Sequence, residues 1–344
     1  MQKIIIATDA WFPQVNGVVR CIEELKKQLE KKDFEVTVIH PGLFLSFPIF
    51  FYPEVRLSMF PKHKIKKIIK DINPDYIHIV TEGPIGFATR SICLKNKFKF
   101  TTANHTNFQV YVQHYFGKWN FLTELIYNRL KWFHNASNGT MVITEELRRG
   151  LEKRGFLHVL LWPLGVDTQL FTRNENSPVK TKYNFKSPVF VYFGRIAKEK
   201  NVEEYLQCKL PGTKLVIGDG PLKNQLEAKY GKENIFLGYK MGQELVDFLS
   251  VCDVFVLPSL SDTFPLAIIE GFSCGLPVAA HDVMDLKYLV KKDVGVLDKD
   301  LTKAAMACLN ISRQKCREYA LKFSWEESAN HFVKNLIKKD NYEQ

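Results

Sequence analysis

Two series of short, uninterrupted apolar runs, each run followed by a turn and then a helical pattern, leave few architectures open to this chain. Lys3–Ala7 opens the first series. A run without polar alternation suits a strand covered on both faces, as in a parallel sheet. Phe12-Pro13-Gln14-Val15-Asn16-Gly17 is a turn, and Val19, Ile22, Leu25 and Leu29 then share one face of a helix over Val18–Lys31. Phe34–His40 is the next strand, broken at Pro41-Gly42, and a helix near Lys62–Asp71 leads to a strand at Tyr76–Val80. This βαβαβ rhythm predicts a doubly wound α/β sheet.

The rhythm restarts with strands at Val189–Phe193, Lys214–Ile217, Asn234–Leu237 and Val254–Leu257. Between the two series lies Thr172–Pro188, polar and Pro-containing, which reads as a linker. A length of 344 residues also suits two domains at roughly 150 residues each. The expectation is two Rossmann-like domains, 1–171 and 188–322, facing a central cleft and joined by a linker at 172–187.

Composition narrows the function. At 46% apolar and 25% charged residues the chain is globular, not disordered. Of the formal charge of +11, +8 sits in residues 1–172, which suits an anionic partner: a nucleotide phosphate, an acidic lipid surface or nucleic acid. Charge alone does not choose among them. Seven cysteines, scattered without a CxxC pair, read as reduced thiols of a cytoplasmic protein and argue against a zinc site. Met1–Ala10 lacks the length of a signal peptide, and the most apolar stretch, Leu43–Phe51, is about half a bilayer span.

Open α/β sheets bind ligands at the carboxyl ends of their strands, so the loops after the strands carry the chemistry. Gly17 opens the first helix, where bare backbone amides can approach a phosphate; a tight strand-to-helix turn explains it equally. After Val189–Phe193 come Arg195 and Lys200, a fork donor and a point charge suited to a diphosphate, or two solvated surface cations. After Val254–Leu257 come Asp262, Thr263, Phe264, Pro265 and Leu266, with Pro265 placed as a first helical residue and Gly275 as the stop. Glu270 lies inside that otherwise apolar helix. A carboxylate there needs partners, which sugar hydroxyls or a neighbouring cation would supply. Asp298-Lys299-Asp300 has the look of a metal motif but sits apart from these loops and reads as a solvated helix start.

Asp262-x7-Glu270 within SLSDTFPLAIIEGFSCGLPVAA resembles the paired-acid motif of the family-four retaining glycosyltransferases of GT-B fold (glycosyl transferases group 1). TDAWFPQVNGVV (8–19), NHTNF (104–108), PLGVDTQLF (163–171), YFGRIAKEKN (192–201), IGDGPL (217–222) and CDVFVLPS (252–259) extend the similarity in order along nearly the whole chain. KFSWEES (322–328) is similar to the family's last helix, which implies that 323–344 cross back onto the first domain. The opening and LPGTKLVIGDGP look most like the bacterial mannosyltransferase and sulfoquinovosyl- or glucosyl-diacylglycerol synthase branch.

The resemblance implies a hexosyltransferase that retains anomeric configuration without a metal and takes a GDP- or UDP-hexose donor. It places the donor diphosphate against the Gly17 backbone, Arg195 and Lys200, and the nucleotide ribose against Glu270. Asp262 with Thr263, Phe264, Pro265 and Leu266 would hold hexose hydroxyls, and His105 would lie beside the reacting carbon. Two departures bear on sugar preference: the first acid is commonly Glu where this chain has Asp262, and Pro265 stands where Gly is more usual. The acceptor is expected to be a lipid or glycan. Lys62, Lys64, Lys66, Lys67 and Lys70 alternate with isoleucines at helical spacing, as in a helix that rests on an anionic membrane, although isoleucines packed on a sheet under wet lysines explain the pattern too. Aromatic residues crowd Phe108–Phe133 with the same ambiguity. Two rival functions are weighed. A nucleotide-sugar epimerase of the same fold is disfavoured by the paired-acid and Gly-Arg-x4-Lys patterns. A basic nucleic-acid binder is disfavoured by carboxylates in the most motif-like loops.

Overall fold

The computed structural model describes residues 1–14, 17–49, 52–104, 120–260 and 265–339. Two compact units divide the chain: Met1–Leu164 with Trp325–Gln344, and Gly165–Ser324.

The first unit holds a parallel sheet in the order β2-β1-β5-β6-β7-β8. Its strands are β1 (Gln2–Ala7), β2 (Phe34–Ile39), β5 (Tyr76–Ile79), β6 (Thr101–Asn104), β7 (Gly139–Val142) and β8 (Val159–Leu161). Ile4, Ile5, Ile6 and Ala7 are wholly buried, which explains the unbroken apolar run in β1. Helix α1 (Gly17–Glu30) buries Val19, Ile22, Leu25 and Leu29, the face legible in the sequence. Helix α2 (Lys62–Ile72) buries Ile65 and Ile69 in the core around Ile5, Ile77 and Phe100. Of the lysines on α2, Lys66, Lys67 and Lys70 are exposed, Lys62 bonds Ser91 Oγ at 2.8 Å and Lys64 bonds the Leu43 carbonyl at 2.6 Å. The apolar stretch at 43–51 lies partly in an antiparallel hairpin, β3 (Ser46–Ile49) against β4 (Tyr52–Ser58). Helices α3 (Pro84–Lys95), α4 (Asn120–His134) and α5 (Glu145–Lys153) follow along the chain, and Phe133 of α4 joins the core around Ile5 and Ile77.

The second unit repeats the plan in the order β11-β10-β9-β12-β13-β14, again all parallel. The strands are β9 (Val189–Phe193), β10 (Thr213–Ile217), β11 (Ile235–Gly238), β12 (Val254–Leu257), β13 (Val278–Ala280) and β14 (Gly295–Leu297). The residues read as a linker are tied to this unit. The Asn174 amide bonds Ser250 Oγ at 2.8 Å, Ser177 Oγ bonds the Asp247 carbonyl at 2.8 Å, and Val179 is buried. Arg317 secures the preceding turn, donating to the carbonyls of Thr168 and Phe171 and to Ser273 Oγ.

After Ser324 the chain rejoins the first unit. Trp162 Nε1 donates to Ser328 Oγ at 3.1 Å, and the Trp162, His78 and Phe332 rings pack together. Lys339 Nζ reaches Asn73 Oδ1 at 2.9 Å. All seven cysteines are free and buried, and burial pushes the Cys93 and Cys274 thiols up to about 12. Inert thiols follow.

Candidate active site

In the second unit, strand order reverses between β9 and β12, the place where ligands settle in sheets of this kind. The loop after β9 carries Arg195, exposed, and Lys200, half-buried. Backbone hydrogen bonds to the neighbouring loop after β10 hold it. The Ile196 amide donates to the Asp219 carbonyl at 2.8 Å, and the Leu222 amide donates to the Ile196 carbonyl at 3.2 Å. From below, the buried Tyr192 hydroxyl donates to the Arg195 carbonyl at 2.6 Å. Gly218 makes this lacing possible: a Cβ there would stand 1.9 Å from the Gly194 carbonyl oxygen, and its φ of +148° is one that L side chains rarely adopt. The IGDGPL turn thus braces the Arg195 loop.

Beyond β12, the helix α7 (Leu266–Ser273) starts one residue later than the sequence pattern predicts. Pro265 sits outside it with ψ near 100°, and the Ile268 amide bonds the Pro265 carbonyl at 2.9 Å. The amides of Leu266 and Ala267 therefore open the helix, the end favourable to an anion. Gly275 ends it in the left-handed region at φ +76°, where the Leu276 amide bonds the Gly271 carbonyl. Glu270 is buried on this helix. Asp262, Thr263 and Phe264 lie outside the described residues, as do His105 and residues 108–119 of the aromatic segment.

The first unit places Gly17 at the first residue of α1, exposed, with open space where a Cβ would stand. Asp300 caps the helix that begins at Leu301 by accepting the Lys303 amide at 3.1 Å, which accounts for Asp298-Lys299-Asp300 structurally. Among the described residues, no group of three or more His, Cys, Asp or Glu side chains is placed to hold a metal ion.

Residues 15–170 match the family model described as Glycosyltransferase Family 4, and residues 173–320 match that described as Glycosyl transferases group 1. The chain belongs to the group 1 glycosyltransferases. Over 82% of its length this glycosyltransferase is 30% identical to the sulfoquinovosyl transferase SQD2 of Arabidopsis thaliana, and it spans 60% of that protein. It is 26% identical to the alpha-monoglucosyldiacylglycerol synthase of Streptococcus pneumoniae over 97% of its own chain and 84% of the relative. The sucrose-phosphate synthase of Thermosynechococcus elongatus shares its fold with a TM-score of 0.75 at 18% identity, over 97% of this chain and 98% of the other. The fold is GT-B.

Two polar clusters in this glycosyltransferase carry no local mark in the sequence. Glu82, in the loop after β5, accepts from the fully buried His134 Nε2 at 2.9 Å, and His134 Nδ1 meets Thr102 Oγ1 at 2.9 Å. Glu204, at the start of the helix α6 (Val202–Gln207), meets His281 at the end of β13. Neither pairing has a local signal. His134 and His281 stand 52 and 77 residues from their carboxylates, although His281 does follow a strand directly.

Proposed function

We propose that this glycosyltransferase moves a hexosyl group from a nucleotide-diphosphate sugar to a hydroxyl of a lipid or glycan acceptor, retaining configuration and needing no metal. The observation that carries the reading is the Arg195–Lys200 loop, braced at the carboxyl end of β9 beside the opening of α7. Breaking the anomeric C–O bond leaves negative charge on the departing diphosphate, which Arg195, Lys200 and amides at the start of α1 stabilise as it forms. The acceptor oxygen bonds the anomeric carbon on the face the diphosphate leaves, and its proton passes to a phosphate oxygen. Glu270 takes ribose hydroxyls. Asp262, Thr263, Phe264, Pro265 and Leu266 take hexose hydroxyls, and His105 lies beside the reacting carbon. The name of the Streptococcus pneumoniae relative states a diacylglycerol glycolipid product, which favours a lipid acceptor.

Peripheral membrane contact belongs to the same reading. Leu45 and Met59 are paired across the base of the β3–β4 hairpin, where the Met59 amide bonds the Leu45 carbonyl at 2.8 Å. Leu45 is 83% exposed and Phe60 88%, immediately before the lysines of α2. Exposed apolar side chains next to a lysine-rich helix suit an anionic lipid interface. No helix among the described residues is long and apolar enough to cross a membrane.

Thermal unfolding with UDP, GDP, UDP-glucose and GDP-mannose tests the reading. A ligand at about 100 times its dissociation constant adds about 2.7 kcal/mol of stability. A raised midpoint with one base names the donor class, and proton NMR of the product then reads the anomeric configuration. No rise with any of the four overturns the proposal.

A further inference from the structure

We infer that Glu204 is a positioning residue for the diphosphate-binding loop, with Asn201 and His281 as its partners. The inference rests on Lys200 holding the donor diphosphate. Lys200 ends a single 3-10 turn, Lys198–Lys200, and the next residue, Asn201, is left-handed at φ 51°. A non-glycine residue in that region is strained and needs support from its surroundings. The support is visible. Asn201 Nδ2 donates to Glu204 Oε2 at 2.5 Å and reaches the Pro258 carbonyl at 3.3 Å. The same Glu204 oxygen meets His281 Nε2 at 3.0 Å.

One carboxylate oxygen therefore joins the loops that leave β9 and β13, and the Asn201 amide it holds reaches the loop after the strand between them, β12. That is an unusual place for an acid. A free carboxylate beside a loop meant for a diphosphate would weaken anion binding through like-charge repulsion. Here its charge is turned inward to a histidine that is itself buried, and it is spent on fixing the backbone that follows Lys200. Lysine is a point charge on a flexible stem, so the position of its backbone decides where that charge is delivered. Ser259, next to Pro258, is fully buried and its hydroxyl has no hydrogen-bond partner among the described residues, so the β12 edge of this junction has no side-chain tie of its own from that residue. The Asn201 bond to Pro258 supplies one.

The test compares binding of UDP and GDP with binding of UMP and GMP by calorimetry, on the full chain and on Lys200→Ala, Glu204→Ala, Glu204→Gln and His281→Asn. A positioning role predicts that Lys200→Ala and Glu204→Ala each weaken the diphosphate by about tenfold or more, the scale of one lost charge-assisted contact, and leave the monophosphate unchanged. Glu204→Gln keeps an acceptor for Asn201 and recovers most of the preference, and His281→Asn falls between the two. Glu204→Ala with the full diphosphate preference, or with equal losses for mono- and diphosphate, overturns the inference while the donor-site reading stands. Lys200→Ala with the full preference overturns that reading, and the inference with it. So does a full chain that binds neither diphosphate.

Discussion

The Asp9 carboxylate sits on the backbone of Ile85: Oδ1 accepts the Ile85 amide at 2.9 Å, while Oδ2 accepts the Gly86 amide at 3.2 Å and the Thr81 hydroxyl at 3.0 Å. A side chain from the loop after β1 thereby occupies the first turn of α3. In the first unit β1 and β5 are the strands at which the order reverses, so the site where a free anion would settle is filled by the protein's own carboxylate. Helix α7, by contrast, takes no side-chain cap from Pro265, and its start is one of the helix ends the donor reading uses.

Replacing Asp9 with Asn removes charge-assisted bonds at this cap, and a loss of about 1–2 kcal/mol in unfolding free energy is expected. The pH dependence has a definite sign. Burial raises the Asp9 carboxyl above its ordinary 3.8 against the opposing hydrogen bonds. The unfolded chain then loses its proton first as pH rises, so ionisation of Asp9 favours unfolding between 3.8 and the raised folded value. Urea titrations at several pH values should show the advantage of wild type over Asp9→Asn shrinking as pH rises through that window. An advantage that grows there contradicts the assignment.

Gly218→Ala should destabilise the second unit by more than about 2 kcal/mol, because the new methyl meets the Gly194 carbonyl in a backbone region that L residues avoid. Relief of the clash moves the Arg195 loop. Nucleoside diphosphate affinity is therefore expected to fall along with the thermal midpoint, whereas Gly150→Ala, with open space around it, should leave both unchanged.

How much of this was legible in the sequence depended on how local the cause was. The four strands read in the second half appear within a residue of their predicted bounds, because each is an apolar run closed by a turn residue. The buried face of α1 was equally plain. The start of α7 falls one residue later than the sequence pattern predicts because proline fixes φ and leaves ψ open, and ψ decides whether a residue joins the helix. Residues 172–187 looked like a linker by composition, yet Asn174 and Ser177 spend their polarity on Ser250 and Asp247, partners some seventy residues away. Glu204–His281 and Glu82–His134 were invisible for the same reason. Long-range pairing leaves no periodicity.

Substitution of Lys66, Lys67 and Lys70 by Gln should lower binding to phosphatidylglycerol vesicles by roughly a hundredfold, at about 1 kcal/mol for each cation near the surface. All three are exposed, so the thermal midpoint should hold. Phe60→Ser is expected to weaken the same binding through lost apolar contact, with less sensitivity to salt. Sedimentation with vesicles at two ionic strengths separates the contributions. Unchanged binding by both variants removes the membrane from the reading.

Arg195→Ala tests the site where charge develops. Its side chain is exposed and its backbone carbonyl, not its guanidinium, is what Tyr192 holds, so the fold should survive the change. If the guanidinium stabilises the departing diphosphate, its interaction is stronger in the transition state than with the intact donor, and turnover should fall more than donor affinity. A drop of about a hundredfold or more in kcat, with KM for the donor changed by only a few-fold, is the expected outcome. Glu270→Ala should show the opposite split, because ribose hydroxyls keep the same contacts throughout the reaction: KM rises and kcat is nearly held. Steady-state rates measured over a range of donor concentrations at saturating acceptor distinguish the two patterns. Wild-type constants in both variants would mean that the loop after β9 and the buried acid of α7 serve the fold alone.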